Sequence, residues 1–200
     1  MLSIVVLAGG ESRRMGQNKA LMPFLNQPLI QRVVNRLKPY ADELLVITNT
    51  PEQYKFLEVE LTPDILPGRG ALGGLYTALS AAHQPLAAVV ACDMPFVSPS
   101  LLSAMRDTLL QGNWDAVIPE SQDGAQPFHA VYRRETCLPP IEAVLKADKW
   151  RVDAWFDQVR LKHFTSEEIA QYDPEQLAFF NVNTPEEWKE AERLALSQNN

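Results

Sequence analysis

SIVVLAGGESRRMGQNKA, Ser3 to Ala20, sets a short greasy run against a loop crowded with glycine and positive charge. Ser3 to Ala8 is continuously apolar and rich in β-branched side chains, the pattern of a strand buried on both faces. Such strands belong to parallel sheets with helices packed on each side. The loop that follows carries Gly9, Gly10, Arg13, Arg14, Gly16 and Lys19. Glycines let backbone N–H groups approach an anion closely, and arginine and lysine neutralise it as a planar fork and a point charge. The loop is neither of two common phosphate motifs. GxGxxG is absent, and Gly16 is followed by Gln17 where a Walker A loop has lysine. Taken alone, the loop reads either as a phosphate cradle or as a tight turn with solvated basic residues.

Working outward, Leu29 to Leu37 places Leu29, Ile30, Val33, Val34 and Leu37 at the helical period, with Pro28 as a first-turn proline. Glu43 to Thr48 reads as a second strand and Pro51 to Leu57 as a short helix. PGRGALGG, Pro67 to Gly74, is a glycine-rich turn feeding a helix over Leu72 to Ala82. Ala87 to Ala91 is a third buried strand, ending in CDMP. Ser98 to Leu110 is a helix with Ser98 as N-cap, Pro99 at the first position and Gly112 beyond the end. Ala116 to Pro119, Ala130 to Tyr132 and Arg160 to Phe164 are further strands. Thr136 to Ala147 is helical after Pro139 and Pro140, and Thr184, Pro185 and Glu187 spell a capping box for a last helix.

Strands and helices alternate through the first half. The expected fold is therefore α/β and three-layered: a mainly parallel, twisted sheet with helices on both faces. Ligands of such sheets bind outside the carboxyl ends of the strands, and the glycine loop, the PGRGALGG turn and CDMP all follow strands. The stretch from Asp123 to Phe164 breaks the alternation and is expected to form a lobe beside that edge.

Composition sets the bounds. The chain has 200 residues and a net charge of −7, so general attraction to nucleic acid or to an anionic membrane is not expected. Two cysteines, Cys92 and Cys137, without a CxxC suggest reduced thiols of a cytoplasmic protein. The apolar stretch at Leu2 to Ala8 lacks the length and basic flank of a signal peptide, and no run reaches transmembrane length.

Asp93 ends a buried strand on the same edge as the loop, where a carboxylate suits Mg²⁺ with phosphate and water completing the octahedron. It reads equally as a turn aspartate before proline. In FNVNTPEE, Asn181 and Asn183 lie two apart in an extended stretch and point the same way. Helix capping accounts for Thr184 and Glu187 but not for the paired asparagines. QPFHAVYRR, Gln126 to Arg134, and KWRVDAW, Lys149 to Trp155, supply aromatics and cations. His129 reads as a substrate contact or a plain strand histidine, and Trp150 and Trp155 as packing or stacking side chains.

LAGGESRRMGQNKALM resembles the signature of nucleotidyltransferases with a LAGGxSxRMGxxKA loop. ALGGLYTAL, CDMPF, QPFHAVYR and NVNTPEEW match later segments of that family in order, so the resemblance runs from Val5 to Trp188. The full set most resembles the molybdenum cofactor guanylyltransferases, which join GMP from GTP to molybdopterin and release pyrophosphate. The resemblance implies a Rossmann-like nucleotidyltransferase fold in a single domain over residues 1–200. Residues 1–120 would mainly bind nucleotide and residues 121–200 mainly the acceptor. It places Leu7, Ala8 and Gly9 along guanine and ribose, and Gly10 at the start of the phosphate turn. Arg14 and Lys19 would meet the triphosphate, Asp64 the nucleotide, and Asp93 the Mg²⁺. Asn181 and Asn183 would lie near metal and pterin, with Asn183 completing the metal site. Arg151 and His129 are assigned to the pterin substrate. Family members often carry asparagine where this chain has Ile47; here Asn49 follows two positions later.

The resemblance implies GTP and molybdenum-loaded molybdopterin as ligands, and protein partners that insert molybdenum or accept the dinucleotide. Related cytidylyltransferases resemble LAAG where this chain reads LAGG, which favours GTP over CTP. A transferase using CTP, or one making a nucleotide sugar, stays open. So does a non-catalytic nucleotide- or cofactor-binding chaperone, which the presence of both Lys19 and Asp93 disfavours.

Overall fold

A computed structural model describes residues 1–9 and 18–198 of the chain. Strand β1 (Leu2–Leu7) is the centre from which the sheet is built. A two-stranded hairpin, β2 (Pro23–Phe24) and β3 (Gln27–Pro28), leads into helix α1 (Leu29–Leu37). Strand β4 (Glu43–Ile47), a 3-10 segment over Pro51–Leu57 and strand β5 (Glu60–Thr62) precede helix α2 (Gly70–Ala81). Then come β6 (Leu86–Ala91), α3 (Pro99–Gln111), β7 (Ala116–Ser121), β8 (Gly124–Ala125) and β9 (His129–Arg133). Helix α4 (Arg134–Lys146), strand β10 (Leu161–Phe164), and helices α5 (Ser166–Ala170) and α6 (Pro185–Ser197) complete the order.

The main sheet has eight strands in the order β10-β7-β9-β6-β1-β4-β5, with β8 paired to β7. Both neighbours of β1 run parallel to it, in registers Val5↔Val89 and Val5↔Leu45. Only β9, among the strands on this path, runs antiparallel, between β6 and β7. The apolar run of β1 has a direct packing reason. Leu2, Ile4 and Val6 face α1 and α3 in one cluster, whereas Val5 faces α2 and α4 in the other. A strand with helices on both sides has little room for polar side chains, and the one in β1, Ser3, is buried with its hydroxyl bonded to Glu43. A third, smaller cluster joins the β2–β3 hairpin to α6, with Phe24 edge-on to Trp188 at 5.7 Å.

Several expectations are corrected. The stretch from Asp123 to Phe164 does not stand apart as a lobe, because β9 fills the slot between β6 and β7 and β10 pairs parallel to β7. Four of the five β9 residues are buried inside the sheet. Pro28 sits at the N-cap of α1, with extended backbone, not in its first turn. Helix α4 starts before Pro139 and Pro140, which lie inside it. Strand β5 and helix α5 were not expected, although Thr165 and Glu168 form a full capping box for α5.

Candidate functional site

The carboxyl ends of β1, β4 and β6 lie side by side, since all three are parallel. Lys19 reaches this edge from the first position of a 3-10 turn, Lys19–Leu21. Its ammonium donates to Asn183 Oδ1 at 2.8 Å, to the Val182 carbonyl at 3.1 Å and to Asp93 Oδ2 at 3.3 Å. The Lys19 side chain is 15% exposed and that of Asp93 24%, so the pair is shielded well beyond an ordinary surface ion pair. Residues from positions 19, 93 and 182–183 thus converge on one point.

Each member is fixed by its neighbours. Asp93 follows β6, and its carbonyl accepts from the Val182 amide at 3.0 Å, which stitches the two segments together. Val182 is fully buried against Phe24, Phe96 and Trp188. That burial anchors the segment that carries Asn181 and Asn183. Asn183 is held further by the cap of α6: Glu187 accepts from the Asn183 amide at 2.6 Å and the Thr184 amide at 2.9 Å. Asn181 instead donates to the Phe179 carbonyl at 3.1 Å, outside the lysine cluster.

The donor set fits a hard cation. A carboxylate, an amide oxygen and a backbone carbonyl already surround one positive group, and such oxygens are what Mg²⁺ and Ca²⁺ take. Glu43, Glu60 and His83 also offer ligand atoms within 4.8 Å of one another. They lie at the amino ends of β4 and β5 and before β6, at the opposite end of the sheet. There Glu43 accepts from the His83 amide at 2.9 Å and ring at 2.5 Å, and from Ser3. That carboxylate ties the amino ends of β1 and β4 to the turn before β6 and is remote from Asp93.

Of the nucleotide-side candidates, Leu7, Ala8 and Gly9 line the exit of β1, and the Ala8 amide is bonded to the Ile47 carbonyl at 2.9 Å. Gly10 and Arg14 lie outside the described residues. Asp64 is half-buried; its Oδ1 accepts from Thr77 Oγ1 at 2.6 Å and the Leu66 amide at 2.9 Å. It therefore organises the turn before α2 whatever else it meets. Asn49, the displaced asparagine, accepts from the Asp64 amide at 3.0 Å and ties β4 to the same turn.

The acceptor-side candidates separate. Arg151 is 83% exposed and forked onto Asp153 at 2.7 and 3.0 Å. The two residues, with Ala125, Pro127, Val152 and Phe156, line an open cleft of about 300 Å³. His129 is corrected as a substrate contact: it is 0% exposed, and neither ring nitrogen has a hydrogen-bond partner among the described residues. Its ring stands edge-on to Phe179 at 5.3 Å because β9 is an interior strand. Burial pushes its pKa down to about 4. Trp155 is fully buried in the core, whereas Trp150 is half exposed beneath the Arg69 guanidinium, 5.1 Å from its ring centre. Burial, with Asp93 adjacent, pushes the Cys92 thiol up to about 12, which makes it inert as a nucleophile.

One contributor escaped the sequence reading, the Val182 carbonyl. A backbone oxygen leaves no side-chain signal, and only the burial of Val182 between the two asparagines hints at it.

Residues 4–161 match the family model described as the MobA-like NTP transferase domain. A probable molybdenum cofactor guanylyltransferase of Pelotomaculum thermopropionicum is 36% identical, over 96% of this chain and 92% of its own length. A molybdenum cofactor guanylyltransferase of Desulfosudis oleivorans is 33% identical, over 94% of this chain and 93% of its own. The crystal structure of molybdopterin-guanine dinucleotide biosynthesis protein A from Archaeoglobus fulgidus superposes with a TM-score of 0.84. It shares 27% identity, over 98% of this chain and 99% of that one. A lysine, a carboxylate and an asparagine gathered at the carboxyl edge of this sheet are thus carried by a chain that belongs to the MobA-like NTP transferase family.

Proposed function

We propose that the protein transfers GMP from GTP to molybdenum-loaded molybdopterin, forming the guanine dinucleotide cofactor and releasing pyrophosphate. The observation that carries this is the Lys19 ammonium set among Asp93, Val182 and Asn183 at the carboxyl edge, in a chain of this family. In the reaction a terminal phosphate oxygen of the pterin bonds to the α-phosphorus of GTP. The bond from that phosphorus to the bridging oxygen breaks, and pyrophosphate carries the electron pair away. The attacking oxygen is already anionic, so no strong general base is required. Positioning and charge neutralisation are the protein's work.

Lys19, whose three donors meet Asp93, Val182 and Asn183, exchanges at least one of them for the α-phosphoryl oxygens and the departing pyrophosphate, joined by Arg14 of the glycine loop. Asp93 and Asn183 are the residues that would hold Mg²⁺, which when bound supplies positive charge across the phosphates. Leu7, Ala8, Gly9 and Gly10 flank the nucleoside and the phosphate turn, with Asp64 bracing the opposite turn. Asn181 and Arg151 serve the acceptor, Arg151 by exchanging Asp153 for the pterin phosphate. Residues 1–120 then carry mainly the nucleotide and 121–200 mainly the acceptor. The test is pyrophosphate release with Mg²⁺, molybdenum-loaded molybdopterin and either GTP or CTP. Pterin-dependent release with GTP alone is expected. Release with CTP alone overturns the base assignment, and release with neither overturns the acceptor.

A further inference from the structure

We infer that Tyr54 is a positioning residue for the phosphate-binding lysine: its hydroxyl, acting through Asn18, holds the exit of the glycine loop so that Lys19 reaches Asp93 and Asn183. The inference rests on the role of Lys19 proposed above. Tyr54 lies in the 3-10 segment after β4, far from Lys19 in sequence, and its ring is 0% exposed. Its hydroxyl meets Asn18 Nδ2 at 2.8 Å.

The bond sits one residue before Lys19. One residue after it, Ala20 is 2% exposed and packs in the same apolar cluster as Tyr54. The lysine is thus bracketed by a polar anchor on one side and a buried methyl on the other. Two backbone bonds close the turn between them, from the Leu21 amide to the Asn18 carbonyl at 3.0 Å and from Met22 to Lys19 at 3.1 Å. Phenylalanine would fill the same core space, so packing does not explain the hydroxyl. A hydroxyl on a fully buried ring is a desolvation cost unless a partner meets it. Burial also pushes the Tyr54 hydroxyl up from its ordinary value, so it stays protonated and can donate as well as accept. The loop's other end is fixed separately, by the bond from the Ala8 amide to Ile47. Lys19 bonds directly to the site, and Tyr54 acts only through the chain beside it.

Tyr54→Phe keeps the core filled and removes the hydroxyl that faces both Asn18 and the buried Thr48, so Asn18→Leu, which leaves the tyrosine and Thr48 in place, isolates the anchor. The kcat of Tyr54→Phe is expected to fall about tenfold or more, with the KM for the pterin unchanged and thermal stability close to wild type. Hydrogen exchange at the Leu21 and Met22 amides should quicken. Asn18→Asp should keep most of the wild-type rate, because a carboxylate accepts from the tyrosine hydroxyl where the amide donates to it. Asn18→Leu should match Tyr54→Phe, and the double variant should be no slower than either single one. Unchanged exchange, additive losses, or faster exchange with wild-type kcat would each overturn the role. If wild-type protein forms no product with any nucleotide, the proposed function fails. The exchange measurement then still decides the anchor: faster exchange supports it and unchanged exchange overturns it.

Discussion

Lys19 is gripped by three oxygens and is mostly buried, whereas Arg151 stands in solvent with one carboxylate for company. Both are cations assigned to phosphate groups, yet they are built in opposite ways. The lysine end draws on the sheet edge, the α6 cap and a small apolar cluster, each of which fixes one partner. The Arg151 end belongs to a surface loop, where Arg69, Asp148 and Trp150 also pair in the open. A site that stabilises a transition state gains by being set before substrate arrives. A surface that admits a bulky acceptor loses little if its exposed pairs must exchange partners, because each is worth little.

Lys19→Ala should produce the largest effect, a fall in kcat of roughly 10²–10³-fold with the fold retained, read by pyrophosphate release. A small loss there would erase the distinction between the two ends. Asn183→Ala removes one oxygen of the cluster but leaves the α6 cap in place, since Glu187 bonds the Asn183 backbone. A loss of about tenfold is expected in the same assay. Arg151→Ala should raise the KM for the pterin by about tenfold or less and leave kcat near wild type, as for an exposed binding group. If its kcat collapsed instead, the acceptor end would have to be as closely set as the lysine end.

His129 sharpens the comparison from below, as a polar side chain buried inside the sheet. Unfolded, it takes up a proton below about pH 6.5; folded, burial delays this to about pH 4. The unfolded chain therefore binds more protons across that window. Stability falls as pH drops through it, by about 1.4 kcal/mol per pH unit for this one residue. His129→Leu should remove that part of the acid sensitivity and stabilise the protein by about 1 kcal/mol near neutral pH, since a buried imidazole that only the Ser98 backbone faces among the described residues goes with it. Thermal melts across the window check both signs. Lost activity in this variant at neutral pH would return the histidine to the substrate.

Most of the layer architecture could be read from apolar periodicity, because β1, β4, β6, α1 and α3 bury residues at regular spacing. The antiparallel insertion of β9 could not, since HAVYR is buried over four of its five residues as a parallel strand is, and nothing in five residues states direction. Strand β5 was missed because ELT is only half-buried at the sheet edge. Within the site, the position of Asp93 at the end of β6 announced its edge, but the different partners of Asn181 and Asn183 could not be read from their spacing. The contact of Lys19 with Asn183 spans 164 residues and that with Asp93 spans 74, closures that only the folded sheet reveals. The two readings of His129 could not be separated for the same reason as the direction of β9: whether a strand residue faces a cleft or a core depends on its neighbours in the sheet.

The most direct test is single-turnover pyrophosphate release by Asp93→Asn at saturating GTP and molybdenum-loaded molybdopterin, beside its thermal midpoint. Asparagine keeps the shape and removes the charge that faces Lys19. The account predicts a rate at least about a hundredfold below wild type with an unchanged midpoint. A rate within about threefold of wild type would contradict it.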